Sequence, residues 1–338
     1  MQKRNSQEEI AKRAQKLLEE RGRRALEMGR KEILEEEIEC KEVSEALSYF
    51  MTEYWRDLDR PTLLSLCCEA VGGDPDATTP VAVPLSLISG GIDIHDDIID
   101  QSKIKDGRPT VYGKFGKEIA LLVGDSLLFK GFALLYDLAR KGVPTETVSF
   151  ILNVVKEMFF ELGDAEALEL RFRGRVDVTP EKYLDVVRKK AADAEALVRV
   201  SAFLGGGSEE ELEKIGVYGR LLGMILILRD DMLDTTDFAE TLHRIKNECL
   251  PLPILYALQD TERSPRLVSI ICKRPLTKRD MEEIREITAE SLGLKRTQKI
   301  VNDYAGKASS AIQEIDKKGN LKAFVVAACI PYLEEETI

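Results

Sequence analysis

Two stretches, Asp96-Asp97-Ile98-Ile99-Asp100 and Asp230-Asp231-Met232-Leu233-Asp234, decide the reading of this chain. Each spells DDxxD inside an apolar context, and about 130 residues separate them. On a helix, side chains four residues apart share a face, so Asp96 lines up with Asp100 and Asp230 with Asp234. Like charges at that spacing cost an isolated helix about 0.2–0.5 kcal/mol per pair, and apolar surroundings enlarge the cost. The bland alternative is a solvated acidic face, since 60 residues of the chain are Asp or Glu. The Ile, Leu and Met neighbours of both copies argue against it. Hard divalent cations that prefer oxygen ligands, chiefly Mg²⁺, would stabilise such carboxylates, with phosphate as a further ligand.

Working outward, helical periodicity dominates. Residues 7–50 are rich in Glu, Lys, Arg, Ala and Leu, with apolar positions at three- and four-residue steps. A second helix over about 60–72 stops at Val71-Gly72-Gly73-Asp74-Pro75. Pro80 and Pro84 sit near the start of the helix that carries the first Asp cluster, and Asp106-Gly107-Arg108-Pro109-Thr110 reads as a loop. Further helices are expected over about 114–140, 145–172, 180–204, 208–236 and 248–259, then two or three more. No run of alternating β-branched residues makes a convincing strand. No low-complexity linker divides the chain. The expectation is one all-α domain over 1–338, of about ten or more helices, with the two Asp clusters on different helices facing a central cavity. Residues 1–40 are expected to form a charged, solvated helix, perched on a partner subunit.

Composition narrows the function. The net charge of −11 leaves no basic stripe for a nucleic acid. The six cysteines show no CxxC spacing and read as small hydrophobes in a reducing compartment. The N-terminus has no apolar signal core, and no uninterrupted apolar run reaches transmembrane length. A cytoplasmic protein is the expectation.

The segment IHDDIIDQSKIKDGRPTVYGKFGKEIALLVGDSLLFKGF contains His95 with the first cluster, then Gly107, Pro109 and Thr110, then Phe115-Gly116 and Gly124-Asp125. The second cluster is followed by LPLPILYAL at 250–258. In these motifs, between about residues 50 and 260, the chain resembles the trans-isoprenyl diphosphate synthase (polyprenyl synthetase) family. The resemblance implies an all-helical isoprenoid synthase-type bundle, a homodimer, and three Mg²⁺ ions between the clusters. The metals would hold the diphosphate of an allylic prenyl substrate, whose ionisation gives a cation that isopentenyl diphosphate attacks. By the same resemblance Asp96, Asp100 and Asp230 match direct metal ligands. Asp97, Asp231 and Asp234 match supporting positions, with Asp234 also kept among the metal-binding set. Lys190, in Arg188-Lys189-Lys190-Ala191, and Lys105 match residues that contact the allylic diphosphate.

The isopentenyl half departs from the family pattern. Arg60 survives in Arg56-Asp57-Leu58-Asp59-Arg60-Pro61, but Asp57 stands where the pattern has Lys, Ser89 where it has His, and Asp106 where it has a second Arg. Leu226-Ile227 replaces Phe-Gln before the second cluster, and Lys246-Asn247-Glu248-Cys249 replaces Gly-Lys-x-Thr, leaving Lys246 as a shifted phosphate contact. Three functions follow. A chain-elongating prenyltransferase ranks first. A class I terpene synthase or cyclase acting without isopentenyl diphosphate is second. A non-catalytic partner of an active synthase is third. Residues 84–94 contain no aromatic ring, and Gly90 and Gly91 are small, which suggests a deep pocket for a long prenyl chain unless Phe129, Phe132 or Tyr136 closes it. Gly91→Phe is then expected to shorten the chain. His95 reads as a packing residue, His243 as exposed, and Met158, Phe159 and Phe160 as core.

Overall fold

The computed structural model describes residues 2–105 and 107–329, so Asp106 lies outside the described residues. Helices follow one another in the order α1 (Gln2–Leu34), α2 (Lys41–Tyr49), α3 (Asp59–Ala70), α4 (Thr79–Ile99), α5 (Val111–Phe115), α6 (Lys117–Arg140), α7 (Thr145–Phe172) and α8 (Pro180–Lys190). They continue as α9 (Ala192–Leu204), α10 (Glu209–Thr236), α11 (Phe238–Asn247), α12 (Leu252–Ala257), α13 (Ser264–Ile271), α14 (Lys278–Glu290), α15 (Gly293–Ala311) and α16 (Asn320–Cys329). Between α4 and α5 lies the only sheet among the described residues, a two-strand hairpin pairing Ile104 with Pro109 and Lys105 with Arg108. That hairpin refines the expected loop.

Local chemistry sets the boundaries. The Thr179 side chain caps α8 ahead of Pro180, and Ser208 forms a reciprocal capping box with Glu211 at the start of α10. Gly116, at φ 84°, separates α5 from α6 in a conformation that a Cβ would disfavour, so the helix expected from 114 starts afresh at Lys117. The helix expected over 180–204 is interrupted at Ala191. The one expected over 248–259 shrinks to Leu252–Ala257, because α11 takes the preceding residues.

The core helix is α4. Its Leu87 and Ile94 are fully buried, and truncating either to Ala would cost about 2–5 kcal/mol. Close contact with α6 depends on missing side chains. A Cβ on Gly91 would lie 2.8 Å from the carbonyl oxygen of Gly124, and one on Gly131 2.8 Å from that of Pro84. Gly91 is therefore a helix-contact position, and Gly90 faces the Phe50 ring at 3.2 Å. This corrects the expectation that these glycines open a prenyl pocket, and Gly91→Phe would test packing instead. Phe129 and Tyr136 are exposed and do not close a pocket within this chain, whereas Phe132 packs against Phe159 at 6.0 Å. Met158 is buried as expected, but Phe160 is 78% exposed.

The charged N-terminal helix is also corrected. Although its outer face is polar, α1 buries Ala14, Ala25, Leu26 and Ile33 and packs on α3, α4 and α16 of its own chain. Its backbone approaches so closely that a Cβ on Gly22 would lie 2.6 Å from the Leu58 oxygen. Two segments, Pro75–Ile99 and Lys117–Arg140, are long and apolar enough to cross a membrane. Asp93, Asp96 and Asp97 interrupt the first and Asp125 and Lys130 the second. The first is mostly buried in the bundle, and the second leaves an apolar face open.

Candidate active site

The first cluster lies where α4 ends. Asp100 is its C-terminal cap residue, and Ser102 and Thr110 tie the following hairpin back through a 2.7 Å bond from the Thr110 hydroxyl to the Ser102 carbonyl. The hairpin swings Lys105 over the cluster, with Nζ 2.8 Å from Asp97 and 3.3 Å from Asp96. From the other side Lys190, at the end of α8, approaches Asp96 at 3.9 Å and Glu166 of α7 at 3.0 Å, and pairs tightly with Glu169. Arg173, one turn past Glu169, donates to the Ile99 carbonyl at 2.6 Å and holds α7 against the end of α4.

Carboxylate oxygens of Asp96, Asp100 and Glu166 lie within 4.8 Å of one another, the only such group of three among the described residues. One Glu166 oxygen is buried with no hydrogen-bond partner. Burial, then the neighbouring charges of Asp96 and Glu248, push Asp100 up to about 9. Burial, resisted by Lys190, raises Glu166 to about 7. Asp96 moves the other way: burial opposes its ionisation, but Lys105 and Lys190 together hold it below the usual range. Crowded oxygen donors with an orphaned atom and suppressed ionisation are what a hard divalent cation relieves, so these residues fit such an ion.

The second cluster divides its labour. Asp231 is fully inside, accepting from the Tyr183 hydroxyl at 2.9 Å, Arg244 at 2.7 Å and the Leu252 amide at 3.0 Å. It anchors α8, α10, α11 and the entry to α12. Asp230 is more than half exposed and pairs with Arg229 at 2.9 Å. Asp234 lies 3.8 Å from Arg244, and burial raises it to about 7. Between the clusters runs a chain of polar contacts. Arg244 reaches Glu248 at 3.0 Å, Glu248 meets His243 at 3.1 Å, and His243 meets Ser102 at 3.2 Å beside the first cluster. Burial resists ionisation of Glu248, yet Arg244 and His243 bring it down to about 2.

The structure thus gathers Asp96, Asp97, Asp100, Lys105 and Lys190, and places Asp231 and Asp234 around Arg244. Lys246 is exposed on α11, and Arg244, two residues earlier, is the cation that enters the site. His243 is half-buried and bonded, which corrects its reading as exposed. His95 packs as expected, against Gly124, with Asp125 at 3.4 Å. Glu166, Glu169, Arg173 and Glu248 went unrecognised in the sequence. Arg60 is not free: it is held by Asp57, Asp93 and Asp193.

The polyprenyl synthetase family pattern matches residues 41–288, most of the chain. The chain belongs to the polyprenyl synthetase family. Within that family it is 36% identical over 220 residues to a short chain isoprenyl diphosphate synthase of Methanothermobacter thermautotrophicus, covering 63% of this chain and 66% of that one. It is 35% identical over 192 residues to a geranylgeranyl diphosphate synthase of Methanosarcina mazei, covering 56% and 58%. The matches therefore span just under two thirds of these relatives, or less. In three dimensions this polyprenyl synthetase superposes on a geranylgeranyl pyrophosphate synthetase from Pyrococcus horikoshii with a TM-score of 0.79, at 26% identity over 93% of this chain and 97% of that one. The all-α isoprenoid synthase fold is shared.

The raised carboxylates set a pH dependence for the metal-free protein. A carboxyl whose folded pKa exceeds its unfolded value of about 4 binds more protons when folded, so stability falls as pH rises between the two values. Asp100 extends that window to about 9. Mg²⁺ is expected to raise the thermal midpoint more at pH 8.5 than at pH 6, by roughly twofold or more in the shift, since fewer protons must then be displaced. Equal shifts at the two values, read by calorimetry, would contradict a metal site built on Asp100 and Glu166.

Proposed function

We propose that this polyprenyl synthetase is a Mg²⁺-dependent prenyltransferase. It ionises an allylic prenyl diphosphate and condenses the resulting allyl group with isopentenyl diphosphate. The observation that carries the reading is the Asp96, Asp100 and Glu166 cluster flanked by two lysines, Lys105 and Lys190. Diphosphate is a poor leaving group until its charge is neutralised, and bound Mg²⁺, with as many as three ions between the clusters, supplies that neutralisation. Asp96, Asp100 and Glu166 would hold metal from one side and Asp230 and Asp234 from the other. Asp97 keeps Lys105 in place, and Asp231 keeps Arg244 and Tyr183 in place. Lys105 and Lys190, now engaged by carboxylates, would turn to phosphate oxygens once those carboxylates face metal. Below the cluster, Leu85, Ile88, Val155, Met158 and Leu197 surround a gap of about 10 Å³, room for about one water, and apolar walls of this kind would shield an allylic cation held beside them. The cleft of about 1000 Å³ elsewhere in the chain is bordered by Arg188, Glu195 and Arg220 and includes none of the clustered aspartates.

The test is one incubation. With Mg²⁺ and farnesyl or geranylgeranyl diphosphate, labelled isopentenyl diphosphate is incorporated into a longer prenyl diphosphate, and chelation by EDTA stops the reaction. The second reading is a terpene synthase or cyclase, favoured by the engagement of Arg60 with three carboxylates. It predicts hydrocarbon or alcohol from the allylic substrate alone. Binding without product in either mixture would favour the non-catalytic partner.

A homodimer is part of the reading. Leu122, Phe129 and Tyr136 recur at seven-residue steps on α6 and are all exposed, and Phe160 of α7 is exposed as well. A seven-residue apolar repeat on an open helix face is the pattern of helix pairing, and a second copy of the same stripe is self-complementary. Phe129→Glu with Tyr136→Glu is expected to convert a dimer into a monomer, read by sedimentation; a species of unchanged mass would rule the surface out. A cytoplasmic location fits six thiols with no disulfide among them.

A further inference from the structure

The hairpin that carries Lys105 leaves α4 through Gln101, which stands at φ 58°. Residues other than glycine rarely take that left-handed conformation, so the turn has to be held by its neighbours. The returning strand is fastened to α2 and the residues just past it. The Tyr49 hydroxyl donates to the Pro109 carbonyl at 2.5 Å, and Arg108 donates to the Glu53 and Tyr54 carbonyls at 3.2 and 3.3 Å. The entry is fastened by a different element, α11, where His243 Nε2 lies 3.2 Å from the hydroxyl of the buried Ser102.

His243 is itself oriented. The Asn247 amide donates to Nδ1 at 3.0 Å, which leaves the ring proton on Nε2, facing Ser102 and, at 3.1 Å, Glu248. Glu248 also accepts from Arg244 at 3.0 Å, and Arg244 donates to Asp231 at 2.7 Å. A continuous line of side chains, Asp231, Arg244, Glu248, His243 and Ser102, therefore joins the second aspartate cluster to the root of the hairpin. Lys105, on that hairpin, rests on Asp97 and Asp96. Once Asp96 faces metal, part of that support is drawn away, and the tether at Ser102 remains.

We propose that His243 is a positioning residue: through Ser102 it holds the Lys105 hairpin in register with the second aspartate cluster, so that Lys105 meets a diphosphate bound between the two clusters. The inference rests on the allylic-diphosphate reading above. It gives α11 a part in substrate binding that acts wholly through the hairpin.

The experiment measures binding to the full chain with Mg²⁺, by titration with a non-ionisable thio analogue of geranylgeranyl diphosphate. Lys105→Ala and His243→Leu are each expected to weaken the dissociation constant about tenfold, the scale of one hydrogen bond to a charged group. In the Lys105→Ala background, His243→Leu should add less than about twofold, because the two side chains act through one contact. A merely structural loss would multiply instead. His243→Gln, whose amide nitrogen can donate in place of Nε2, should bind within about threefold of the unaltered chain. Ser102→Ala removes the tether from the hairpin side, keeps the bond from Thr110 to the Ser102 carbonyl, and should reproduce the loss; it serves if His243→Leu does not fold. Unchanged affinity in folded His243→Leu or Ser102→Ala, or losses that multiply in the double variant, overturns the proposal. If the unaltered chain fails to bind the analogue with Mg²⁺, the allylic reading falls, and the part given to Lys105 falls with it.

Discussion

Asp96→Asn lowers diphosphate release from an allylic substrate by about 10³-fold, the scale on which a preorganised charge contact is lost. Asp96 is the one carboxylate that both Lys105 and Lys190 face, and its oxygen is also one of the three drawn together with Asp100 and Glu166. The amide cannot ionise, so it weakens metal binding and releases both lysines from their common partner. Raising Mg²⁺ should recover little of the rate, because the amide removes one of the three anionic oxygens drawn together with Asp100 and Glu166. The measurement is phosphate-coupled diphosphate release at saturating substrate, with circular dichroism to show that the variant is folded. A folded variant within tenfold of the unaltered rate would remove the first cluster from the reaction. Glu166→Gln is the milder companion, expected to lose about 10–100-fold, since the neighbouring Glu169 still holds Lys190.

The largest effect on stability is expected at Arg244. Arg244→Met deletes the contacts to Asp231 at 2.7 Å and Glu248 at 3.0 Å, and both carboxylates are buried. Breaking a buried pair from one side leaves charge without compensation and costs about 3–5 kcal/mol. Asp231 retains Tyr183 and the Leu252 amide, and Glu248 retains His243, so the fold should weaken without disappearing. Urea unfolding measures the loss. A change under about 1 kcal/mol would show that the network contributes little to the folded state. Arg244→Lys should recover only part of it, because an ammonium is a point charge and cannot serve Asp231 and Glu248 as a planar fork does.

The parts of the site that could be read from sequence are those written as local patterns. The DDxxD spacing, the HDD context and the LPLPILYAL run pointed to the family, and the same resemblance singled out Lys105 and Lys190, which the structure places beside Asp96. Glu166 and Glu169 were hidden because ELGDAEALELRF looks like any solvated acidic helix. A signal for α11 was present and passed over. Asp237 followed by Glu240 is a helix start, and the Asp237 side chain does accept from the Ala239 and Glu240 amides. Missing that helix left Arg244 in a presumed loop and turned attention to Lys246. The group around Arg60 shows a different limit. Asp57 comes from the segment before α3, Asp93 from α4 and Asp193 from α9, and only the packing of α3, α4 and α9 brings them together. The apolar stripe of α6 and the highly charged helix α1 had the opposite problem: similar periodicities marked an open face in one and a buried seam in the other.

The family pattern begins at residue 41 and ends at residue 288, yet the bundle does not close within those limits. The N-terminal α1 packs on α16, and the hydroxyl of Tyr218, wholly buried in α10, donates to the Leu321 carbonyl at 3.1 Å. Val301, Ala308 and Leu321, all beyond the pattern, are in the core. The ends of α1 and α16 therefore form a single clasp fastened against α4 and α10, the helices that carry the two aspartate clusters. Trimming this protein to its recognisable motif would unbuckle that clasp and leave Tyr218 facing water.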